Sequence, residues 1–351
     1  MGRLGYLLAF TTPLLVVRGY EWGGFWNFYG VMIPFGAIPL LDAVLGSSRK
    51  NPSPAQAARL ERSSWHRGLT FAWVPAQLAL LVWGASVVGS GELHGLALVG
   101  FVVSTGVATG GVGITLAHEL GHRNNLLEQS LAKVLLSTVC YLHFFVEHNR
   151  GHHVNVGTPK DPATARFGES LYAFLPRSVV GQYQSAWHLE AKRLKKRGLP
   201  ALHPRNHMLW GLAIPAVLAA TLGVAFGPSA LLFFFGQSAV AVLLLEAVNY
   251  LEHYGLERRE VAPGRFEKVE PIHSWNSSHI LSNWFLFHLQ RHSDHHAHAG
   301  RRYQILRHFE EAPQLPMGYP GMLLLALVPP LWRRVMDPRV LAQRERLAAA
   351  A

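Results

Sequence analysis

Long apolar runs are the feature that most constrains how this chain can fold. Half of its 351 residues are hydrophobic and only 15% are charged. The apolar residues are concentrated in runs close to the length, about 20 residues, that a helix needs to cross a bilayer. Because backbone groups in lipid must be satisfied within their own segment, such runs fold as helices. They predict six transmembrane helices, at about 4–20, 25–46, 69–89, 95–117, 208–227 and 229–251.

The first run has to be distinguished from a secretory signal peptide. It contains Pro13 and Arg18, and the sequence RGYEW at 18–22 closes it. A signal peptide would instead end in a small-residue cleavage site. We therefore predict a membrane helix here.

The distribution of positive charge predicts the orientation. Of the 32 Lys and Arg residues, all except Arg18 lie before the first run or in segments 47–68, 118–207 and 252–351. By the positive-inside rule, both termini and the large parts 118–207 and 252–351 are predicted to be cytoplasmic. The net charge of +11 then favours membrane lipids and acidic soluble partners over nucleic acid.

Histidine clusters occur in the parts of the chain predicted to be cytoplasmic. Imidazole is a good ligand for Fe, Zn, Cu and Ni. Residues three or four apart share a helix face, so each cluster can present at least two ring nitrogens to one point. The sequence therefore predicts a polyhistidine metal site at the membrane edge. The clusters are AHELGHR with His118 and His122, EHNRGHH with His148, His152 and His153, and QRHSDHH with His292, His295 and His296.

Two other interpretations account for fewer of these residues. HELGH at 118–122 is also the HExxH pattern of zinc proteases, but a catalytic zinc takes three protein ligands and would leave most of the clustered histidines unexplained. A metal transporter would carry ionisable residues along its spanning helices, whereas these gather at one end. Eight histidines suit two metal ions, and Cys140 is the single cysteine, so a redox iron pair is favoured over a thiolate cluster.

Four longer motifs narrow the interpretation. They are HELGHRNNLLEQSLAKVLL at 118–136, EHNRGHHVNVGTPKDPATARFGES at 147–170, NYLEHYGL at 249–256 and HSWNSSHILSNWFLFHLQRHSDHHAHAGRRYQIL at 273–306. In this order they resemble the motifs of the alkane 1-monooxygenase family, membrane-bound alkane omega-hydroxylases of the membrane fatty-acid desaturase/hydroxylase superfamily. The resemblance implies an all-α integral membrane protein, with six transmembrane helices and a cytoplasmic histidine-rich cap. It also implies that 1–351 is a single membrane-embedded hydroxylase domain.

The resemblance also implies a non-haem di-iron centre of two Fe ions, with O2 as co-substrate. The expected reaction is hydroxylation of the terminal methyl of n-alkanes to primary alcohols. His253, in NYLEHYGL, joins the clusters as a ninth ligand. The implied metal ligands are His118, His122, His148, His152, His153, His253, His292, His295 and His296.

Carboxylates in or near the motifs are candidates to hold the ligand rings. Ligating imidazoles usually donate their second N–H to a carboxylate or carbonyl group. The candidates are Glu119, Glu147, Asp161, Glu246, Glu252 and Asp294. Among the other histidines, His298 departs from the family pattern and is expected at the surface, although an extra donor is the alternative. His273, His279 and His288 are expected to support the ligands or to pack helices.

The substrate and the electron donor are expected from the same resemblance. An alkane has no polar handle, so we expect an apolar channel among helices 25–46, 69–89, 95–117 and 229–251. Trp73, Trp83 and the Phe233–Phe235 run are candidates to limit chain length, with plain helix packing as the alternative.

One cysteine cannot form a rubredoxin iron site, so a separate rubredoxin, with rubredoxin reductase, is the expected donor. The expected location is the bacterial inner (cytoplasmic) membrane. The alternative function is a related membrane fatty-acid or xylene-type hydroxylase or desaturase.

Overall fold

The fold is almost entirely helical. A computed structural model describes residues 3–349, and within them the only sheet is a small antiparallel hairpin of β1 (Glu260–Ala262) and β2 (Arg265–Phe266). The predicted all-α class is confirmed apart from this hairpin, while the two chain ends fall outside the described residues. In chain order the helices are α1 (Thr11–Trp22), α2 (Gly24–Leu45), α3 (Pro54–Glu61), α4 (Ser64–Gly89), α5 (Gly95–Gly121), α6 (Leu126–Ser137), α7 (144–155), α8 (Leu171–Lys195), α9 (His207–Phe226), α10 (Ser229–His253), α11 (Ile280–Phe285), α12 (His292–Ala297), α13 (Tyr319–Ala326) and α14 (Pro329–Ala349).

Five helices are long and apolar enough to cross a membrane. They are α2, α4, α5, α9 and α10, of 22, 26, 27, 20 and 25 residues. Each coincides with a predicted span. Only Gly227 and Pro228 connect α9 to α10, so these two helices form the expected antiparallel pair.

The first predicted span is helical, but it is not long and apolar enough to be counted among the candidate membrane spans. A 3₁₀ segment, Arg3–Phe10, leads into α1. Arg18 and Glu21 lie near the end of α1 and form an exposed ion pair of 2.6 Å. The charged end shortens the apolar stretch, so the described residues contain five apolar spans rather than six.

Helices α5 and α10 position the site by packing closely and ending side by side. A Cβ on Gly110 would lie only 2.6 Å from the Cα of Ala241, so the two backbones touch where glycine leaves room. The contact falls in a π-helical stretch of α5, Ala108–Ile114. Beyond it, α5 carries His118 and α10 ends at His253.

The second cluster lies on the short helix α7. Helix α6 ends at Ser137, and the chain turns through Cys140, which adopts a left-handed φ of 55°. Helix α7 then contains a π-helical turn, His148–His152, whose hydrogen bonds run from i to i+5.

The third cluster returns to the site through a tight turn. The Asp42 carboxylate of α2 accepts the backbone N–H groups of Leu281 at 2.8 Å and Ser282 at 3.3 Å, which anchors the start of α11. After α11, Phe287 and His288 adopt left-handed φ values of 48° and 57°. These angles are unfavourable for L-residues, and they reverse the chain so that α12 lies beside the ends of α5 and α10.

Candidate metal centre

The nine histidines implied by the motifs lie together in the folded chain. They form two groups, and within each group the ligand nitrogens lie within 4.8 Å of one another. We call these the five-histidine group and the four-histidine group. The first consists of His118, His122, His148, His153 and His295, and the second of His152, His253, His292 and His296.

The facing atoms are the Nε2 nitrogens. In the five-histidine group, His118 to His295 is 2.9 Å, His153 to His295 is 3.0 Å, and His148 to His122 is 3.0 Å. In the four-histidine group, His296 lies 2.9 Å from His292 and 3.2 Å from His152. Two nitrogens bound to one ion at about 2.1 Å each lie about 3.0–3.4 Å apart. These spacings are those of ligands around a metal ion.

The π turn in α7 decides how the second cluster is divided. The expectation that His148 and His152, four residues apart, would face one point differs from the structure. His148 and His153, five apart, share the five-histidine group, while His152 belongs to the other. In α12, which has α-helical spacing, His292 and His296 do share a group. The short helix α7 therefore supplies ligands to both groups.

Burial keeps most of these rings neutral. It lowers the pKa of His122, His148 and His153 well below the ordinary histidine value, and the charges of neighbouring histidines in the two groups lower it further. The same cause lowers the pKa of His295 and His296. Neutral imidazole carries one lone pair and is the form that binds metals.

Asp161 holds one ligand ring in a defined state. Its Oδ2 lies 2.9 Å from Nδ1 of His152 and accepts the Thr164 hydroxyl at 2.6 Å. Burial alone would lower the pKa of His152, but the Asp161 carboxylate raises it overall. Because Nδ1–H donates to Asp161, Nε2 is left with the lone pair that faces the four-histidine group.

Glu252 also approaches a ligand ring, but from the other side. Its Oε2 lies 3.2 Å from Nε2 of His292, the nitrogen that faces the group. This carboxylate is buried beside the four-histidine group. It is therefore within reach of an ion held there.

The other four candidate carboxylates contact residues outside the two groups. Glu119 faces Arg123 at 3.5 Å, and Glu147 accepts the Ser185 hydroxyl at 3.2 Å. Burial, together with the charge of Asp161, raises the pKa of Glu147 to about 8. Glu246 accepts bonds from Tyr141, Ser178 and Gln182, and Asp294 accepts bonds from His298, Arg301 and the backbone of Arg307.

The remaining motif histidines lie outside both groups. The His298 side chain is 47% exposed, as expected of a surface residue, and bonds to Asp294 at 2.9 Å. His273 is buried against Glu267 at 3.1 Å, and His279 bonds to Ser277 at 2.9 Å. His288 is buried beside Tyr6. These four residues pack against or hydrogen-bond to neighbouring side chains.

Residues without a motif signal also shape the site. Arg123 donates to the backbone carbonyls of Ala299, Gly300 and Arg301, which ties the end of α5 to the segment after α12. Tyr141 stacks on Phe144, whose ring stacks on His148 at 4.6 Å. An arginine one residue after His122 gave no sequence indication of a contact some 177 residues away.

An apolar pocket leads toward the five-histidine group. Pro34 and Phe35 of α2, Gly111 of α5 and Leu244 of α10 line it, together with the turn after α11. A smaller pocket, lined by His118 and His295, shares Thr115 and Leu289 with it. The apolar pocket therefore adjoins the pocket that the two histidines line.

Helix α4 contributes no lining residue to this pocket. Trp73 packs against Phe10, and Trp83 and Phe233 pack on Phe101. Among the aromatic residues considered as limits on chain length, Trp73, Trp83 and Phe233 therefore serve helix packing, whereas Phe235 is exposed.

The donor set fits metal ions. In each group the Nε2 atoms meet one another, and the lone pairs of neutral rings repel unless a cation lies between them. Nitrogen donors without a thiolate match Fe, Zn, Cu or Ni. Either group could hold a metal ion.

A helical membrane protein with a polyhistidine centre at the ends of its spans is the class that this fold and site define. The family model described as fatty acid desaturase matches residues 93–325. Within that class, two alkane 1-monooxygenases are 49% identical to this chain over 97% of its length. The chain therefore belongs to the alkane 1-monooxygenase family, and the predicted resemblance is confirmed.

Relatives in known organisms carry the family name. Two Pseudomonas aeruginosa proteins, alkane 1-monooxygenase 2 and alkane 1-monooxygenase 1, are each 49% identical to this chain. The alignments cover 97% of this chain in both cases, and 92% and 90% of the relatives. The xylene/toluene monooxygenase hydroxylase component of Pseudomonas putida is 27% identical over 95% of this chain and 87% of its own length. The chain is thus much nearer to the alkane enzymes than to the xylene-type alternative.

Proposed function

We propose that this protein is a membrane-bound di-iron monooxygenase that hydroxylates the terminal methyl of n-alkanes to primary alcohols. The observation that carries the proposal is the pair of histidine groups, with an apolar pocket close to the five-histidine group. Two groups of Nε2 atoms suit two metal ions, and the pocket suits a substrate with no polar handle. The names of the relatives supply the alkane and the monooxygenase reaction.

The five-histidine group would hold one iron and the four-histidine group the other. When bound and reduced, the two irons supply the activation of O2, which the side chains of the protein cannot perform. Glu252 stands beside the four-histidine group and would complete the ligands of that ion. Asp161 would fix the tautomer and ring angle of His152.

The apolar pocket would orient the substrate. Shape must select the reacting carbon, because an alkane makes no hydrogen bond. The lining by α2, α5 and α10 lies between spans, so an alkane dissolved in the bilayer would reach it from lipid. Apolar walls also exclude water near the reacting methyl, so oxidising equivalents are not lost to side reactions.

A six-span topology in the bacterial inner membrane, with the histidine groups facing the cytoplasm, is part of the proposal. The segment of Arg3–Phe10 and α1 would be the additional span, and tilt or packing against α2 would accommodate its charged end. Gly19 supports this packing, because a Cβ there would lie 2.4 Å from the Trp26 carbonyl oxygen. The excess of Lys and Arg on the side of the histidines supports the orientation.

Two electrons for each turnover must come from outside the protein, because one oxygen atom of O2 leaves as water. A separate rubredoxin, reduced by rubredoxin reductase, is the proposed donor. The net charge of +11 supports an acidic partner, since opposite charges accelerate association.

Turnover under ¹⁸O2 tests the proposal. Purified protein loaded with iron, rubredoxin, rubredoxin reductase and NADH should convert n-alkanes to 1-alkanols that carry one ¹⁸O atom. A matched reaction with acyl lipids or xylene should be much slower. Unlabelled alcohol, or a preference for acyl lipid or xylene, would contradict the proposed reaction.

A further inference from the structure

A second, wide and polar pocket opens between the Arg3–Phe10 segment, α3 and the start of α4. Its volume is about 590 Å³. The charged residues that line it are all cations, and within residues 3–349 none of them forms an ion pair with a carboxylate. We call it the basic pocket. Its cations are Arg3, Lys50, Arg59, Arg62 and Arg291.

Arg291 gives the basic pocket a buried positive charge that forms no ion pair. The residue is only 3% exposed. Its guanidinium donates to three backbone carbonyls, those of Leu306 at 2.6 Å and of Ser48 and Lys50 at 3.2 Å each, and its Nε has no partner among the described residues. A buried cation that forms no ion pair is costly. An anion from outside the chain would remove that cost.

Two more buried polar side chains line the same pocket. His288 is 3% exposed and Gln304 is 6% exposed. Within residues 3–349, Nδ1 of His288 and Oε1 of Gln304 have no hydrogen-bond partner. His288 also has a left-handed backbone, φ 57°, and strained backbone of this kind clusters at ligand sites. The pocket thus offers partners for polar groups other than the anion.

The position of the basic pocket identifies the source of the anion. The apolar helix α4 starts at Ser64, and Trp65 at its start, 40% exposed, lines the mouth. Tryptophan is enriched where membrane meets water, and clustered Lys and Arg there attract anionic lipids. We propose that the basic pocket binds the phosphate of an anionic phospholipid head group.

The pocket would link this lipid to the metal centre. Arg291 is adjacent to His292, which belongs to the four-histidine group. A phosphate that pairs with Arg291 would hold the residue preceding α12 in place. The acyl chains would extend from the mouth along the apolar surface of α4.

Lipid retention tests the proposal without any turnover. The full-length protein is reconstituted in phosphatidylcholine vesicles that contain phosphatidylglycerol, extracted in mild detergent, and examined by native mass spectrometry. The wild type should retain one phosphatidylglycerol. The double variant Arg59→Gln/Arg62→Gln, which changes two exposed residues at the rim, should retain roughly 30-fold less, since each cation near a membrane surface contributes about 1 kcal/mol and every change of about 1.4 kcal/mol is a factor of ten.

The matched control is Lys196→Gln/Arg197→Gln, which removes two exposed cations after α8 and should retain lipid as the wild type does. Equal retention by the rim variant, or equal loss by the control, would overturn the proposal.

Inorganic phosphate is tested separately. If it stabilises the wild type against heat and phosphatidylglycerol does not, the phospholipid assignment is wrong. A rim variant that keeps its lipid but needs more rubredoxin for half-maximal turnover would make the pocket a protein-docking site and overturn the lipid site.

Discussion

At the scale of single residues, the chemistry depends on which nitrogen of each histidine is free. His152 shows this most clearly, because Asp161 occupies its Nδ1 and so directs Nε2 toward the four-histidine group. The sequence identified both residues, since a histidine cluster and a nearby carboxylate are visible in one motif. It did not identify Arg123 as a clamp, because backbone carbonyls that it binds carry no signature in side-chain patterns.

Replacement of Asp161 by asparagine should weaken the metal centre. The amide has nearly the same shape but no charge, so the tautomer and ring angle of His152 are less firmly held. We expect iron affinity or turnover to fall by roughly 10–100-fold, measured as iron content and alkane turnover of purified protein. The control is Glu310→Gln, which removes a carboxylate whose side chain is 71% exposed. If both variants retain wild-type iron and activity, Asp161 has no role in holding His152.

At the scale of helices, the apolar runs predicted the five spans well, because length and hydrophobicity alone determine which segments cross lipid. The division of the histidines into two groups was not predictable in the same way. It depends on the π turn at His148–His152, and a π turn has no sequence pattern that separates it from an α-helix. The left-handed backbone of Phe287 and His288 was also not predictable from the sequence, since neither residue is glycine.

Two adjacent glycines of α5 test whether its contact with α10 supports the site. A Cβ on Gly110 would lie 2.6 Å from the Ala241 backbone, whereas a Cβ on Gly111 would meet a Leu244 methyl at 3.6 Å, an ordinary contact. Gly110→Ala should therefore lower the unfolding temperature and the iron content, with a destabilisation of about 1–3 kcal/mol.

Gly111→Ala is the matched control for this contact and should have a small effect on both quantities. Thermal unfolding followed together with iron content compares the two variants directly. Equal behaviour of the two alanine variants would show that the close approach of α5 and α10 is not what positions His118 and His253.

At the scale of the whole molecule, we propose that the excess of positive charge on one side sets the orientation in the membrane and attracts the electron donor. Lys160 and Arg265 are exposed and lie at the hairpin of β1 and β2, where Lys160 donates to the Gly264 carbonyl at 3.2 Å. Lys160 directly precedes Asp161, the partner of His152. An acidic donor would therefore be attracted to a surface next to the four-histidine group.

The double variant Lys160→Gln/Arg265→Gln should slow turnover when rubredoxin is limiting and salt is low. The effect should shrink as salt rises, because the Debye length falls from about 30 Å at 0.01 M to about 8 Å at 0.15 M. Rates measured across a salt series, with Lys196→Gln/Arg197→Gln as the control of equal charge, test this. A loss of rate that is independent of salt, or equal in the control, would exclude steering by this surface.

The central claim is that nine histidines in two groups hold two irons. Quantitative metal analysis of the purified, active protein tests it most directly. The account predicts two iron atoms per chain, reduced to one or fewer when His153→Ala and His296→Ala remove one ligand from each group. A single metal ion per chain in the active wild type, or zinc in place of iron, would contradict it.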